Sequence, residues 1–284
     1  MTVVPNIRTG SPVRFRSVPW PVWPAAVVLL LIVVAAVAPH LLTGVDPAVN
    51  DWRVALHPPS PSHPFGTDRL GRDVYSRTVY AARTSLGIGV AATAIAVALG
   101  SVVGLLASGP SKLIDAVLMR LTEILLAFPG LLLALVLIAV SGPGARNSAL
   151  AIGLAATPYY ARLVRSQGLV VRISGYVEAA RTLGQSRWRI TVRHILPNAL
   201  APLLVLAPLG VGTGIIAGAG LSFLGLGAVP PTPEWGSMLA ESRNLLSRAW
   251  WLGVFPGLFV VAAVVSITVL ARFWQGLSEG RVAR

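Results

Sequence analysis

Six times along this chain the charges give out for long enough to build a helix that crosses a bilayer. A span needs about 20 mostly apolar residues, and the stretches are residues 24–42, 84–108, a segment centred on 124–140, then 148–163, 199–226 and 249–273. The third has a charged lead-in (Asp115, Arg120, Glu123) that continues its helix into the interface, and the fourth contains Pro158 with Tyr159 and Tyr160. Trp250, Trp251 and Trp274 bracket the sixth, at positions suited to interfacial anchors. Only 12% of the residues are charged, where a soluble domain carries roughly 25%. A disordered chain, a fibrous protein and an ordinary cytosolic enzyme are therefore excluded. There is no cysteine, which excludes disulfides, thiolate metal sites and a cysteine nucleophile. The expectation is an all-α membrane protein with six transmembrane helices.

A net charge of +13 can signal nucleic acid. Here the basic residues, all Arg except Lys112, lie between the apolar stretches, where they act as topology determinants. Arg8, Arg14 and Arg16 precede the first span and place the 1–23 tail in the cytoplasm; six spans return the 275–284 tail to the same side. On this arrangement the inside segments carry +11 and the outside segments, including the 43–83 loop, +2. Ala36-Val37-Ala38 has the pattern of a signal-peptidase site, but Pro39 follows it, and a retained first span is expected.

Two loops carry information. In the outer one, Phe65-Gly66-Thr67-Asp68-Arg69-Leu70-Gly71-Arg72-Asp73 reads as tight turns. Its carboxylates accept turn amides or pair with Arg69, Arg72 or Arg77 rather than bind Ca²⁺, which wants more oxygen ligands. Residues 162–193 hold seven Arg and one acid, Glu178. Ser174 is placed to cap a helix over 175–183 that Gly184 ends in a left-handed conformation, and Ser186 to cap a second over 187–194, ended before Pro197. Tyr176, Ala180 and Leu183 then share one face. Such an Arg-rimmed helix pair either lies on anionic lipid or docks a cytosolic partner.

Glu178-Ala179-Ala180, then three residues, Gly184, and later Leu196-Pro197 resemble the EAA signature of permease subunits of bacterial ABC importers. That pattern usually carries Ile two residues before Leu-Pro. Here His194 stands there with Ile195 next, which resembles the peptide and nickel branch. Matching that branch in order are Phe65-Gly66-Thr67-Asp68 with Gly71-Arg72-Asp73, Ala127-Phe128-Pro129, Tyr160-Ala161-Arg162-Leu163-Val164-Arg165 and Leu221-Ser222-Phe223-Leu224-Gly225-Leu226-Gly227. Pro230-Pro231-Thr232-Pro233-Glu234-Trp235-Gly236 completes the set. The chain resembles C-type permeases of dipeptide or oligopeptide importers.

The resemblance implies a type I ABC importer permease fold, with five helices over 84–274 and a coupling loop over about 166–196. Tyr176, Glu178, Ala179, Ala180, Leu183, Gly184, Arg187 and Arg189 would then dock the ATPase. The implied partners are a homologous permease, forming a heterodimer, two cytosolic ATPases that bind ATP and Mg²⁺, an extracytoplasmic peptide-binding protein, and membrane lipid. No cofactor and no nucleic acid are implied for this chain. Nickel and glutathione importers share the motifs. The single Lys is not in a P-loop, and there is no HExxH, so no catalytic residue is assigned. A secondary transporter is disfavoured by the lack of internal repeats and intramembrane carboxylates. Gly210, Gly214 and Gly218 form a stripe of small residues that serves either packing within the chain or a pore seam with a second permease. Residues 228–247 read as an external, Pro-rich stretch at the outward-facing end, where the resemblance places substrate delivery. Single cysteines replacing Ser186 and Ser60 should label from opposite membrane faces, and labelling from the same face would contradict six spans.

Overall fold

The computed structural model describes residues 19–278. The basic positions Arg8, Arg14 and Arg16, and most of both expected tails, lie outside the described residues. In chain order the helices are α1 (Val22–Val37), α2 (Val74–Ala107), α3 (Lys112–Leu126), α4 (Gly130–Ser141) and α5 (Ala145–Arg172). They continue with α6 (Gly175–Thr182), α7 (Arg187–Ile190), α8 (Leu196–Phe223), α9 (Trp235–Ser242) and α10 (Trp251–Ser278). Among the described residues there is no strand, only an isolated bridge between Thr67 and Asp73.

Each of the six apolar stretches falls on a helix or a bent pair. The helices at Val74–Ala107, Arg187–Phe223 and Trp251–Leu277 are long and apolar enough to span a membrane by themselves. α3 and α4 together make a fourth candidate, and α1, at 16 residues, is shorter. α5 has 28 residues but is less apolar, because it includes Arg146, Arg162, Arg165 and Arg172.

Several boundaries differ from the expectation. α2 begins ten residues before the expected second span, because Asp73 caps it, accepting from the Ser76 amide at 2.9 Å. The outer loop therefore ends at Asp73 rather than at residue 83. The third span is not one helix: α3 and α4 meet at 94°. Pro129 has no amide to continue α3 and is the residue from which α4 starts. α5 absorbs Pro158 and runs on to Arg172, beyond the expected end at 163 and into the expected coupling loop. α10 runs to Ser278, into the expected C-terminal tail.

α2 is the central pillar, and it is approached through small residues. A Cβ at Gly104 would lie 2.5 Å from the Ala161 carbonyl oxygen and 2.7 Å from Val164 Cβ of α5. One at Gly100 would lie 2.5 Å from Tyr160 Cβ. Ala96, Ala161 and Val164 are fully buried between the two helices. On a neighbouring face α2 meets α8, with Gly214 against Gly89, while α1 and α10 pack on it through Ile32, Ala35, Val79 and Ile267.

At the outer end, hydrogen bonds bind loop to bundle. Asp68 is buried and accepts from the Leu70 and Arg72 amides at 2.8 and 3.0 Å and from Arg72 Nε at 2.6 Å, with Arg77 Nε at 3.5 Å. Arg72 and Arg77, and not Arg69, are its partners. Both also reach the Glu241 carboxylate on α9 at 3.5 Å. Trp251 is not an interfacial anchor: it is buried and donates Nε1 to the Thr67 carbonyl at 3.1 Å. Trp250 and Trp274 remain exposed.

Gly104→Leu should separate α2 from α5, with an overpacking cost of about 1–3 kcal/mol, visible as a lowered midpoint in thermal unfolding of detergent-solubilised protein. Gly87→Leu, where an added Cβ meets nothing within 4 Å, should leave the midpoint unchanged.

Candidate functional site: the coupling segment

Past the apolar part of α5 the chain makes a short helix pair that stands out from the bundle. Ser174 precedes α6, but its hydroxyl donates back to the Val171 carbonyl at 2.6 Å and caps no amide. The end of α6 is firmly made. Gly184 lies at φ +73°, its amide donates to the Arg181 carbonyl, and the Gln185 amide donates to the Ala180 carbonyl at 3.1 Å. These two bonds close a Schellman motif, which turns the chain at once. Ser186 then accepts from the Arg189 amide at 3.4 Å and starts α7.

The second helix does not stop before Pro197. Four residues of α7 pass into a π turn over Thr191–Ile195 and continue as α8 from Leu196. In a regular helix the Pro197 ring would press on the Arg193 carbonyl and leave it without a donor. A wider turn just before the proline relieves that conflict and keeps the helix continuous. The coupling segment is thus built on the same rod as α8.

Its buried side is small: Val177, Ala180, Ile190 and Ile195 pack on Val171 of α5, with Leu105 of α2 beside them. The expected face of Tyr176, Ala180 and Leu183 is divided. Ala180 is buried, whereas Tyr176 is 47% and Leu183 80% exposed. Ile173 at 83% and Trp188 at 77% are exposed as well, and the described residues leave these apolar side chains uncovered. Ala179, Arg187 and Arg189 are exposed as well. Glu178 is exposed in the first turn of α6 and forms no ion pair with the surrounding Arg among the described residues, so it does not hold the loop through Arg pairs. Its charge instead favours the positive end of the α6 dipole. The His194 ring sits 6.3 Å from that of Tyr176, beneath the outward face.

Two connections were not foreseen from the sequence. Arg165 of α5 binds Asp115 of α3 with both oxygens, Nε to Oδ1 at 2.5 Å and Nη2 to Oδ2 at 2.7 Å, which ties the α3 lead-in to the rod above the coupling segment. At the far end Glu234 is buried and caps α9, accepting from the Gly236 and Ser237 amides at 2.8 Å. It also accepts from Ser85 of α2 at 3.2 Å, while Trp235 donates its ring nitrogen to the Thr78 carbonyl at 2.9 Å. A Glu followed by Trp and Gly was a signal for this cap, but its partner Ser85 lies about 150 residues away.

The glycine stripe is used inside the chain. Gly210 faces Thr93 and the Tyr160 hydroxyl, Gly214 faces Gly89, and Gly218 faces Ile88 and Ile152. Gly210 and Gly214 also border a cavity of ≈ 210 Å³ between α2, α4, α5 and α8, with Thr93, Tyr160 and Thr213 supplying its polar groups.

Residues 96–284 match the model of the binding-protein-dependent transport system inner membrane component family. The chain belongs to this family. It is 41% identical over 270 residues to the probable D,D-dipeptide transport system permease protein DdpC of Escherichia coli (strain K12), covering 95% of this chain and 87% of the relative. It is also 41% identical to the dipeptide transport system permease protein DppC of Alkalihalophilus pseudofirmus, covering 86% and 80%. To the glutathione transport system permease protein GsiD of an Escherichia coli O6 strain it is again 41% identical, covering 90% and 85%. Among solved structures the fold is shared with the MetNI methionine ABC transporter in inward-facing form, at TM-score 0.56 and 20% identity, over 69% of this chain and 93% of that one. The family member described here is a multi-pass inner-membrane permease with the type I ABC importer fold. It is not itself an enzyme, and it works with ATPase and substrate-binding components.

A Cβ at Gly184 meets nothing within 4 Å, so a side chain there bears only the left-handed backbone penalty, about 1 kcal/mol and more when β-branched. Gly184→Val should speed hydrogen exchange of the α6 amides several-fold, leaving the global thermal midpoint in place.

Proposed function

We propose that this chain conducts di- or oligopeptides inward as one half of a heterodimeric permease, and that α6 and α7 are where one of two cytosolic ATPases takes hold of the assembly. The observation that carries the coupling assignment is the uncovered apolar surface of Tyr176, Leu183 and Trp188 on a helix pair continuous with α8. An exposed ridge of this kind, rimmed by charge, fits an interface with a protein cleft. The substrate class is supported by the dipeptide permeases among the relatives. Glutathione, itself a tripeptide, belongs to the same chemical class and is the second reading, favoured by the glutathione permease relative.

The mechanism follows from the rods. Closure of the ATPases on ATP, which they hold with Mg²⁺, draws the coupling segments together. Because α7 and α8 form one helix, that displacement reaches Gly214 and Gly210 beside the central cavity, where α8 slides on α2 and α5. The permease is then a two-state element whose equilibrium the nucleotide biases. Peptide enters from an extracytoplasmic binding protein at the end carrying α9. Both termini and the coupling segment face the cytoplasm, in line with the distribution of Arg.

Glu178→Lys and Leu183→Asp should leave the permease inserted and monodisperse, yet sharply reduce recovery of the ATPases from membranes and abolish uptake of a labelled dipeptide. Unchanged recovery and uptake in both would overturn the coupling assignment. Competition of that uptake by dipeptides, glutathione and Ni²⁺ separates the substrate readings.

A further inference from the structure

Between the turn joining α2 to α3 and the inner side of the coupling segment lies a cleft of ≈ 500 Å³, lined by Pro110, Arg172, Arg181, Gln185, Arg187 and Ile190, with Thr191 at its margin. Among the described residues no carboxylate lines it. Three arginines contribute to its lining, and Arg165, the next basic residue back along α5, already has Asp115 as its partner. The Nε of Arg172 is buried without a hydrogen-bond partner, as is the side-chain oxygen of Gln185. Arg181 is held close, with Nη2 donating to the Arg172 carbonyl at 3.4 Å. Burial, and then the positive charge of Arg181, hold the Arg172 guanidinium below the ordinary arginine value. Like charges gathered around an unmet donor, with no acid among them, form a site waiting for an anion.

We propose that this cleft binds the phosphate of an anionic phospholipid headgroup. Phosphate oxygens satisfy Arg172 Nε and bridge the guanidinium groups of Arg181 and Arg187. The Gln185 amide, turned over, presents its NH₂ group to the same anion. Position selects lipid over a soluble phosphate. Pro110 stands two residues past the expected end of the second span, at residue 108, and beyond it the exposed side chains of Leu113 and Ile114 give acyl chains a surface. Basic pockets between helices at this depth suit such headgroups. The lipid then acts as a brace between the α5 rod and the coupling segment, locking α7 to the bundle.

The proposal rests on the coupling segment lying at the membrane surface. It is read by lipid retention, a measurement that stands whether or not the chain proves to be a peptide importer. The purified full-length chain, delipidated in detergent, is offered phosphatidylglycerol, cardiolipin or phosphatidylcholine and analysed by native mass spectrometry. The anionic lipids should be retained in preference to phosphatidylcholine. Arg181→Gln, at an exposed side chain, and Arg172→Gln should each weaken retention about fivefold, the effect of one basic side chain at an anionic surface. Arg172→Lys should restore part of it, and Arg146→Gln, at the far end of α5, should change nothing. Equal retention of all three lipids, or retention indifferent to Arg172 and Arg181, overturns the proposal. So does displacement of the lipid by inorganic phosphate or ATP at millimolar concentration, which would assign the cleft to a soluble anion. Loss of ATPase co-purification in these variants with lipid retention intact would make the cleft a protein contact and likewise overturn it.

Discussion

The close approach of α2 to α5 and α8 is the constraint on which the rest of the structure depends. Inside a bilayer there is no hydrophobic force to press one helix on another, so association relies on packing at short range. That requires the backbones to come within reach, and Gly89, Gly100, Gly104, Gly153 and Gly214 are where side chains have been removed to allow it. Once α2 is fixed between these neighbours, α1 and α10 have a surface to pack on, and both ends of α2 become anchor points. The outer end receives α9 through Ser85 and Thr78, and the inner end supports the coupling segment through Leu105.

The two ends of the molecule are held by different physics. At the outer end the buried carboxylates each have several partners: Asp68 with Arg72 and Arg77, Glu234 with two amides and a hydroxyl, although Arg77 Nη1 is buried without one. Truncating one member of such a set leaves an uncompensated buried group, at a cost of about 3–5 kcal/mol. At the inner end the segment has a small apolar core, a wet Arg rim and a wide π turn. Its stability is low by construction, which suits an element that moves with a partner.

That arrangement also gives the Arg-rich rim more than one task. Arg165 is spent on Asp115 within the bundle, Arg172 and Arg181 face inward on the cleft, and Arg189 faces outward beside the apolar ridge. A run of like charges in the sequence is thus divided by the fold into an ion-paired brace, the lining of a cleft and an exposed rim.

Much of this was present in the sequence itself. Six apolar runs located the apolar helices, three of them long enough to span alone, because the length of a helix that crosses hydrocarbon is fixed by bilayer thickness. The turn at Gly184 and the cap at Ser186 were readable because they depend on a few adjacent residues, as did the turn chemistry of Asp68. The helix bounds were less accessible. Asp73 starts α2 early and Pro129 breaks α3 from α4, and which competing cap or breaker prevails is settled by what packs around it. Only the tertiary structure decided that Trp251 is buried, that Tyr176 and Leu183 face out while Ala180 faces in, that Glu178 stands apart from the Arg residues around it, and that the glycine stripe serves α2 and α5 within the chain. Each of these depends on partners between about 15 and 185 residues away, and periodicity marks a face as apolar without saying what covers it.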